Sequence, residues 1–132
     1  MPKRILIIDD DPAVRRAFQL ALRGEGYEIL EADSGAAGVR LALAEDLDLV
    51  YLDLRMPGID GVETLRRIRA AKPDLVVYIV TAFHREFFDE LIQARQEGLR
   101  FELLRKPLER QQIISITADI LDAEDSEAPP WF

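Results

Sequence analysis

Asp9, Asp10 and Asp11 follow directly on the apolar run RILII, Asp53 closes the run DLVYL, Thr81 follows LVVYIV, and Lys106 stands immediately before Pro107. Each polar group sits at the carboxyl end of a short apolar segment. Carboxylates held close together repel and raise one another's pKa unless a cation is shared among them. A hard divalent ion meets that need, because Mg²⁺ takes about six oxygen ligands and keeps waters or phosphate oxygens in the places protein does not fill. A lysine adds a compact cation with three donors, and a threonine adds a hydroxyl. A carboxylate nucleophile, a divalent ion, an ammonium and a hydroxyl are the parts of a phosphoryl-transfer site, provided the fold brings them to one place.

The elements needed to do so are legible in the alternation of the chain. Residues 4–8 form a short apolar run ending in three acids, as a buried parallel strand does. Asp11 followed by Pro12 is a helix start, and Val14, Phe18, Ala21 and Leu22 recur at helical spacing until Gly24 and Gly26. Residues 28–32 (EILEA) read as a second strand, and Ser34 caps a helix bearing Val39, Leu41, Ala42 and Leu43, weakened slightly by Gly35 and Gly38. Residues 48–52 are the third strand, and the loop RMPGIDG carries Pro57, Gly58 and Gly61 as turn punctuation. A third helix through Val62, Leu65, Ile68 and Arg69 ends at Lys72-Pro73, and residues 75–80 are the most strand-like segment of the chain. A helix over roughly 85–97, a strand over 100–104 and a last helix from about 108 to 122 complete the pattern. Five strand–helix pairs in strict alternation imply an α/β fold, a parallel sheet with helices on both faces. In such sheets ligands sit beyond the carboxyl ends of the strands, so all the candidate residues fall on one rim.

At 132 residues the chain is one domain, expected over 1–122, with 123–132 (AEDSEAPPWF) an acidic, proline-containing tail or the start of a linker. The absence of Cys leaves no disulfide framework and no thiolate metal site. No apolar run approaches the ~20 residues of a membrane span, and the four apolar residues near the basic start are too few for a signal peptide. These features fit a cytoplasmic protein that does not engage membranes. The net charge of −8 argues against direct nucleic-acid binding, although five of the acids lie in the last fourteen residues.

RILIIDDDP, VYLDLRMPGIDGVE, IVTA and the Lys-Pro pair, in this order, resemble a response-regulator receiver domain of two-component signalling over about residues 3–122. The resemblance implies a flavodoxin-like, doubly wound five-stranded sheet of order 2-1-3-4-5. It makes Asp53 the phospho-acceptor, with Mg²⁺ (or Mn²⁺ in its place) held by Asp53, by Asp10, by the backbone carbonyl of Arg55 and, through water, by Asp9. Thr81 and Lys106 would bind the phosphoryl group, Thr81 serving also as the switch hydroxyl, and the bond to Pro107 would be cis. The donor would be a phosphohistidine on a sensor histidine kinase or a histidine phosphotransfer protein. The output would pass to a downstream effector protein or a fused output domain through the surface of helix four, strand five and helix five, on which activation would also form a homodimer. Such a domain is not an enzyme in the ordinary sense: its Mg-dependent phosphotransfer and dephosphorylation are directed at itself. One departure concerns the switch. Receivers usually carry an aromatic residue three places before the lysine, which here is Leu103, with Phe101 two residues earlier; a bulge in the strand would be needed to carry Phe101 into that role.

Each residue also has a plainer explanation. The three acids could cap a helix, Asp53 could cap a turn, Lys106 could be a surface lysine, and Thr81 a β-branched strand end. His84, the sole histidine, reads as a solvated loop residue, and Trp131 and Phe132 as loosely docked tail residues. Phe83, Phe87 and Phe88 divide between core packing and a partner surface. Among other functions, a haloacid-dehalogenase-like phosphatase needs a second Asp two residues after the nucleophile, where this chain has Arg55. A flavodoxin-type cofactor site needs a Ser/Thr/Gly-rich loop after strand one, which is absent. A pseudo-receiver, a phosphorylation-independent interaction module, typically lacks one of the acids or the lysine, all of which this chain keeps.

Overall fold

A computed structural model of the chain describes residues 2–82 and 85–125, with side chains through Asp122. The elements run β1 (Arg4–Ile8), α1 (Pro12–Leu22), β2 (Glu28–Ala32), α2 (Gly35–Ala44), β3 (Leu49–Leu52), α3 (Gly61–Ala71), β4 (Val76–Thr81), α4 (Phe88–Gln96), β5 (Glu102–Arg105) and α5 (Arg110–Asp125). All five strands are parallel, in the order β2-β1-β3-β4-β5. Apart from Arg4 and Thr81 at strand ends, the central strands β1, β3 and β4 carry only apolar or aromatic residues because helices cover both faces. By strand alternation, Leu6, Ile8, Val50, Leu52, Val77 and Ile79 join one buried cluster, whereas Ile5, Ile7, Leu49, Tyr51 and Val80 join the other with Phe18, Ile113 and Leu121.

Helix starts follow the side chains that can cap them. Asp11 accepts a bond from the Ala13 amide at 2.9 Å, Ser34 from Ala37 at 3.1 Å and Asp60 from Glu63 at 2.9 Å. The last helix begins two residues later than its apolar pattern suggests, because the Gln112 side chain reaches back to the Glu109 amide at 2.8 Å and fixes the first turn there. It also runs to Asp125, past the expected tail boundary. Helix four opens at Phe88 rather than near 85. No side chain caps it, and Asp89 and Glu90 supply the acidic first turn that favours a start at Phe88. Strand five begins at Glu102 rather than 100 because the carbonyl of Arg100 is taken by the Arg69 guanidinium at 2.8 Å.

Strand five pairs with β4 in unbroken register from Tyr78–Glu102 to Thr81–Arg105, so the bulge considered for Phe101 is absent. Phe101 is buried against α4 with the Arg95 guanidinium 4.2 Å from its ring centre. Four residues of strand separate it from the partner of Thr81, a distance of about 13 Å. Phe83, His84, Trp131 and Phe132 lie outside the described residues.

Candidate functional site

The carboxyl ends of β1, β3, β4 and β5 meet where the strand order reverses around β1, and the sheet ladder continues one residue past the strands. The Asp53 amide bonds the Ile8 carbonyl at 2.9 Å, the Asp9 amide bonds Ala32 at 3.1 Å and the Lys106 amide bonds Thr81 at 3.1 Å. Backbone pairing therefore fixes the three residues that carry the charges. The Lys106-Pro107 peptide bond is cis.

Lys106 donates from Nζ to Asp9 Oδ2 at 2.8 Å and lies 3.6 Å from Asp53 Oδ1. The other oxygen of Asp9 accepts the Asp11 amide at 2.9 Å. Asp9 and Asp53 are 3% and 4% exposed, so two carboxylates share one ammonium inside the protein. Burial pushes the Asp53 carboxyl above its ordinary pKa, and the neighbouring Asp9 charge pushes the same way; Lys106, the Leu54 amide and the Thr81 hydroxyl oppose both. Thr81 is fully buried, with its hydroxyl already turned to Asp53. Asp53 Oδ1 is buried and takes no hydrogen bond from any described residue, the ammonium being too distant for one.

That orphaned oxygen tests whether a divalent cation fits. Asp9, Asp10 and Asp53 each offer an oxygen, and these atoms lie within 4.8 Å of one another. Opposite oxygens around octahedral Mg²⁺ are about 4.2 Å apart, so small side-chain shifts suffice to close the set. Asp10 is exposed and opens the site to solvent. Asp9, Asp10, Asp11, Asp53, Arg55, Met56 and Pro57 line one cavity above it. The donor set is all oxygen and anionic, which suits a hard cation.

Three supporting residues escape sequence reasoning. Arg15 bonds the Asp9 carbonyl at 2.7 Å and Glu31 at 3.1 Å, which steadies the acidic segment from α1; in sequence it is only one arginine on a helix face. Gly61 is where α3 starts, and a Cβ there would stand 2.3 Å from the Asp53 carbonyl oxygen and 2.6 Å from the Leu54 Cα. The turn-rich loop marked that glycine as punctuation, but its need for space against Asp53 comes from packing. Glu86 forms an ion pair with Arg55 at 3.6 Å, joining the turn after β3 to the turn before α4.

Leu103 pairs with Ile79, two residues before Thr81 on the same face, and is 36% exposed. With Phe88, Leu91, Ile92, Arg95 and Phe101 it lines an apolar groove between α4 and β5.

Comparison with known proteins agrees with this geometry. A family profile described as the response regulator receiver domain matches residues 5–118. The chain is 36% identical over 121 residues to the transcriptional regulatory protein GlrR of Escherichia coli, covering 92% of this chain and 27% of that protein. It is 33% identical over 115 residues to the response regulator MprA of Mycolicibacterium vanbaalenii, covering 87% of this chain and 48% of that one. The chain thus spans between about a quarter and a half of the curated relatives it matches. Among solved structures, a CheY-like receiver domain protein from Methanospirillum hungatei superposes with a TM-score of 0.84 at 25% identity, covering 97% of this chain and 100% of that one. The response regulator TrrA of Thermotoga maritima, solved in complex with Mg²⁺ and BeF, gives 0.75 at 30% identity over 89% and 98% of the two chains. With its sheet order, its acidic rim and these matches, the chain belongs to the response regulator receiver domain family.

Proposed function

We propose that Asp53 accepts a phosphoryl group from a phosphohistidine on a sensor histidine kinase or a histidine phosphotransfer protein. One Asp53 carboxylate oxygen attacks phosphorus in line, the phosphorus–nitrogen bond breaks, and the imidazole leaves. The observation that carries this reading is the buried, unbonded Oδ1 of Asp53 beside Lys106. An Asp53 carboxylate with one oxygen left to a cation would keep its other oxygen for attack on phosphorus.

Asp9, Asp10 and Asp53, with the Arg55 carbonyl, would hold Mg²⁺ or Mn²⁺, Asp9 acting through water. When bound, the ion supplies positive charge to the transferring oxygens. Lys106 reorients from Asp9 toward a phosphoryl oxygen, which it binds as a compact cation. Thr81 donates its hydroxyl to another. Asp9, relieved of the lysine, turns to the metal side. The product exchanges one carboxylate charge for a group of about −1.5 to −2 with three acceptor oxygens, a local event that biases the α4–β5–α5 surface. Leu103, on the face of Thr81, is the side chain placed to transmit that change, and Phe101 contributes through the packing of α4.

The domain acts in signalling, and its chemistry is confined to its own modification. Output goes to an effector or a fused output domain, with a homodimer on the α4–β5–α5 surface as the activated form. The acids and the lysine whose loss marks a pseudo-receiver are all present.

The test is intact mass after incubation with a small acyl phosphate and Mg²⁺. One added phosphoryl group, absent in Asp53→Asn and in a chelated sample, is expected. An unchanged mass, even with a candidate kinase supplied, would overturn the reading in favour of an interaction module.

A further inference from the structure

Arg55, which lines the acidic cavity, forms an ion pair with Glu86 in the turn before α4, yet no step above uses either side chain. Both are more than half exposed, at 59% and 52%, and a nitrogen of one lies 3.6 Å from an oxygen of the other. An exposed ion pair of that length is weak. Arg55 also lines the cavity shared by Asp9, Asp10, Asp11 and Asp53, and its long side chain can turn from Glu86 toward the space the phosphoryl group would fill. Lys106 approaches Asp53 from inside the protein, where it is mostly buried; Arg55 is the cation at the solvent side.

We propose that Arg55 exchanges partners on phosphorylation, leaving Glu86 for the phosphoryl group on Asp53 and thereby releasing the turn that leads into α4. The inference rests on the reading of Asp53 as phospho-acceptor. A phosphoryl group presents two charges and three acceptors, and the planar guanidinium fork matches two of those oxygens at once, whereas Glu86 offers one loose contact. The exchange is therefore favoured once the phosphoryl group is in place. It has a structural consequence, because Glu86 lies between β4, which ends at Thr81, and α4, which starts at Phe88. The charge event at Asp53 then reaches α4 by a surface route, separate from the buried route through Thr81.

Beryllofluoride with Mg²⁺, a stable stand-in for the phosphoryl group, allows an equilibrium test. Its affinity would be measured by calorimetry for the wild type, Glu86→Gln, Arg55→Gln and the double variant. Glu86 competes for Arg55 on this account, so Glu86→Gln should bind beryllofluoride about threefold tighter, the weight of one exposed ion pair. Arg55→Gln should bind at least about tenfold weaker, having lost a charge-assisted contact. In the double variant Glu86→Gln should have no further effect. Additive effects would reduce Glu86 to a distant charge acting through its field and would overturn the exchange. A second readout is the amide resonances of Glu86 and Phe88. They should shift on beryllofluoride addition in the wild type, and in Arg55→Gln they should start near their shifted positions. If wild type itself shows no binding that needs both Mg²⁺ and Asp53, the phospho-acceptor reading fails and the exchange with it; normal binding with additive variants removes the exchange alone.

Discussion

At Asp53 the fold works against ionisation of the carboxyl. Burial and the Asp9 charge raise its pKa, so the folded protein binds a proton there more tightly than the unfolded chain does. By linkage, stability falls as pH rises from the ordinary carboxylate range through the raised folded value, since the unfolded chain ionises first and without cost. Asp53→Asn should therefore raise Tm by a few degrees at pH 7 without divalent metal. That gain should disappear as pH drops below about 3.9, where the carboxyl becomes protonated in both states. Saturating Mg²⁺ should raise the Tm of the wild type more than that of Asp53→Asn, because the ion neutralises the repulsion only where the carboxylate exists. Thermal melts at three pH values, with and without metal, check all three; a wild type more stable than Asp53→Asn at pH 7 in chelator would contradict the sign. The candidate acids and Thr81 are legible in sequence because each closes an apolar run, and Lys106 because it stands before Pro107. Arg15, Gly61 and Glu86 are not, because an arginine bonded to a carbonyl, a glycine pressed on Asp53 and an acid paired with Arg55 carry no spacing signal of their own.

Strand and helix identities are likewise set by local pattern, and the departures occur where one side chain intervenes. Residues 4–8 and 28–32 form strands over those same spans, each followed by a helix whose start a side chain caps. Strand five is shorter than its apolar pattern because Arg69 claims the backbone ahead of it. This buried arginine, its pKa lowered by burial and then by the Arg100 charge, bonds the carbonyls of Lys72, Leu75 and Arg100. It thus ties together the end of α3, the approach to β4 and the approach to β5. No spacing rule foresees it, because Arg69 also falls on the apolar stripe of α3, where it reads as an edge residue. Arg69→Met keeps the stem and removes the donors, leaving carbonyls without partners. The expected loss is about 2–3 kcal/mol, roughly 10 °C in Tm at this length. Hydrogen exchange should accelerate first at Glu102 and Val76, far from the rim, so Asp53 should still gain its phosphoryl group at low temperature. A variant that keeps its Tm would show that the carbonyls find water instead.

Over the whole molecule the two faces of the sheet are unequal. The α1 and α5 side is closed, with Tyr51 bonding Thr117 at 2.7 Å and its ring packed, tilted, 4.8 Å from that of Phe18. The α4 and β5 edge leaves Phe88 59%, Ile92 41% and Leu103 36% exposed around one groove. A contiguous apolar edge beside exposed Asp89, Arg95, Glu102 and Arg105 carries both signs of charge. A two-fold axis placed there can therefore bury the groove against its own copy while setting acids opposite bases, as isologous interfaces require. On the proposed function the phosphoryl group is added beyond the carboxyl ends of β3 and β4, so a dimer on this face would be favoured by a change passed along Thr81, Leu103 and the turn holding Glu86. The expected outcome is a light-scattering mass of one chain in Mg²⁺ alone and of two chains after beryllofluoride is added. Ile92→Asp should hold the mass at one chain in both conditions, because it sets a charge in the centre of the buried patch, while leaving the gain of mass at Asp53 intact. A monomer that persists in activated wild type would give this face to a different protein. Ile92→Asp would then be expected to weaken capture of that effector, not self-association, and the same groove would still be the place where the charge event is read.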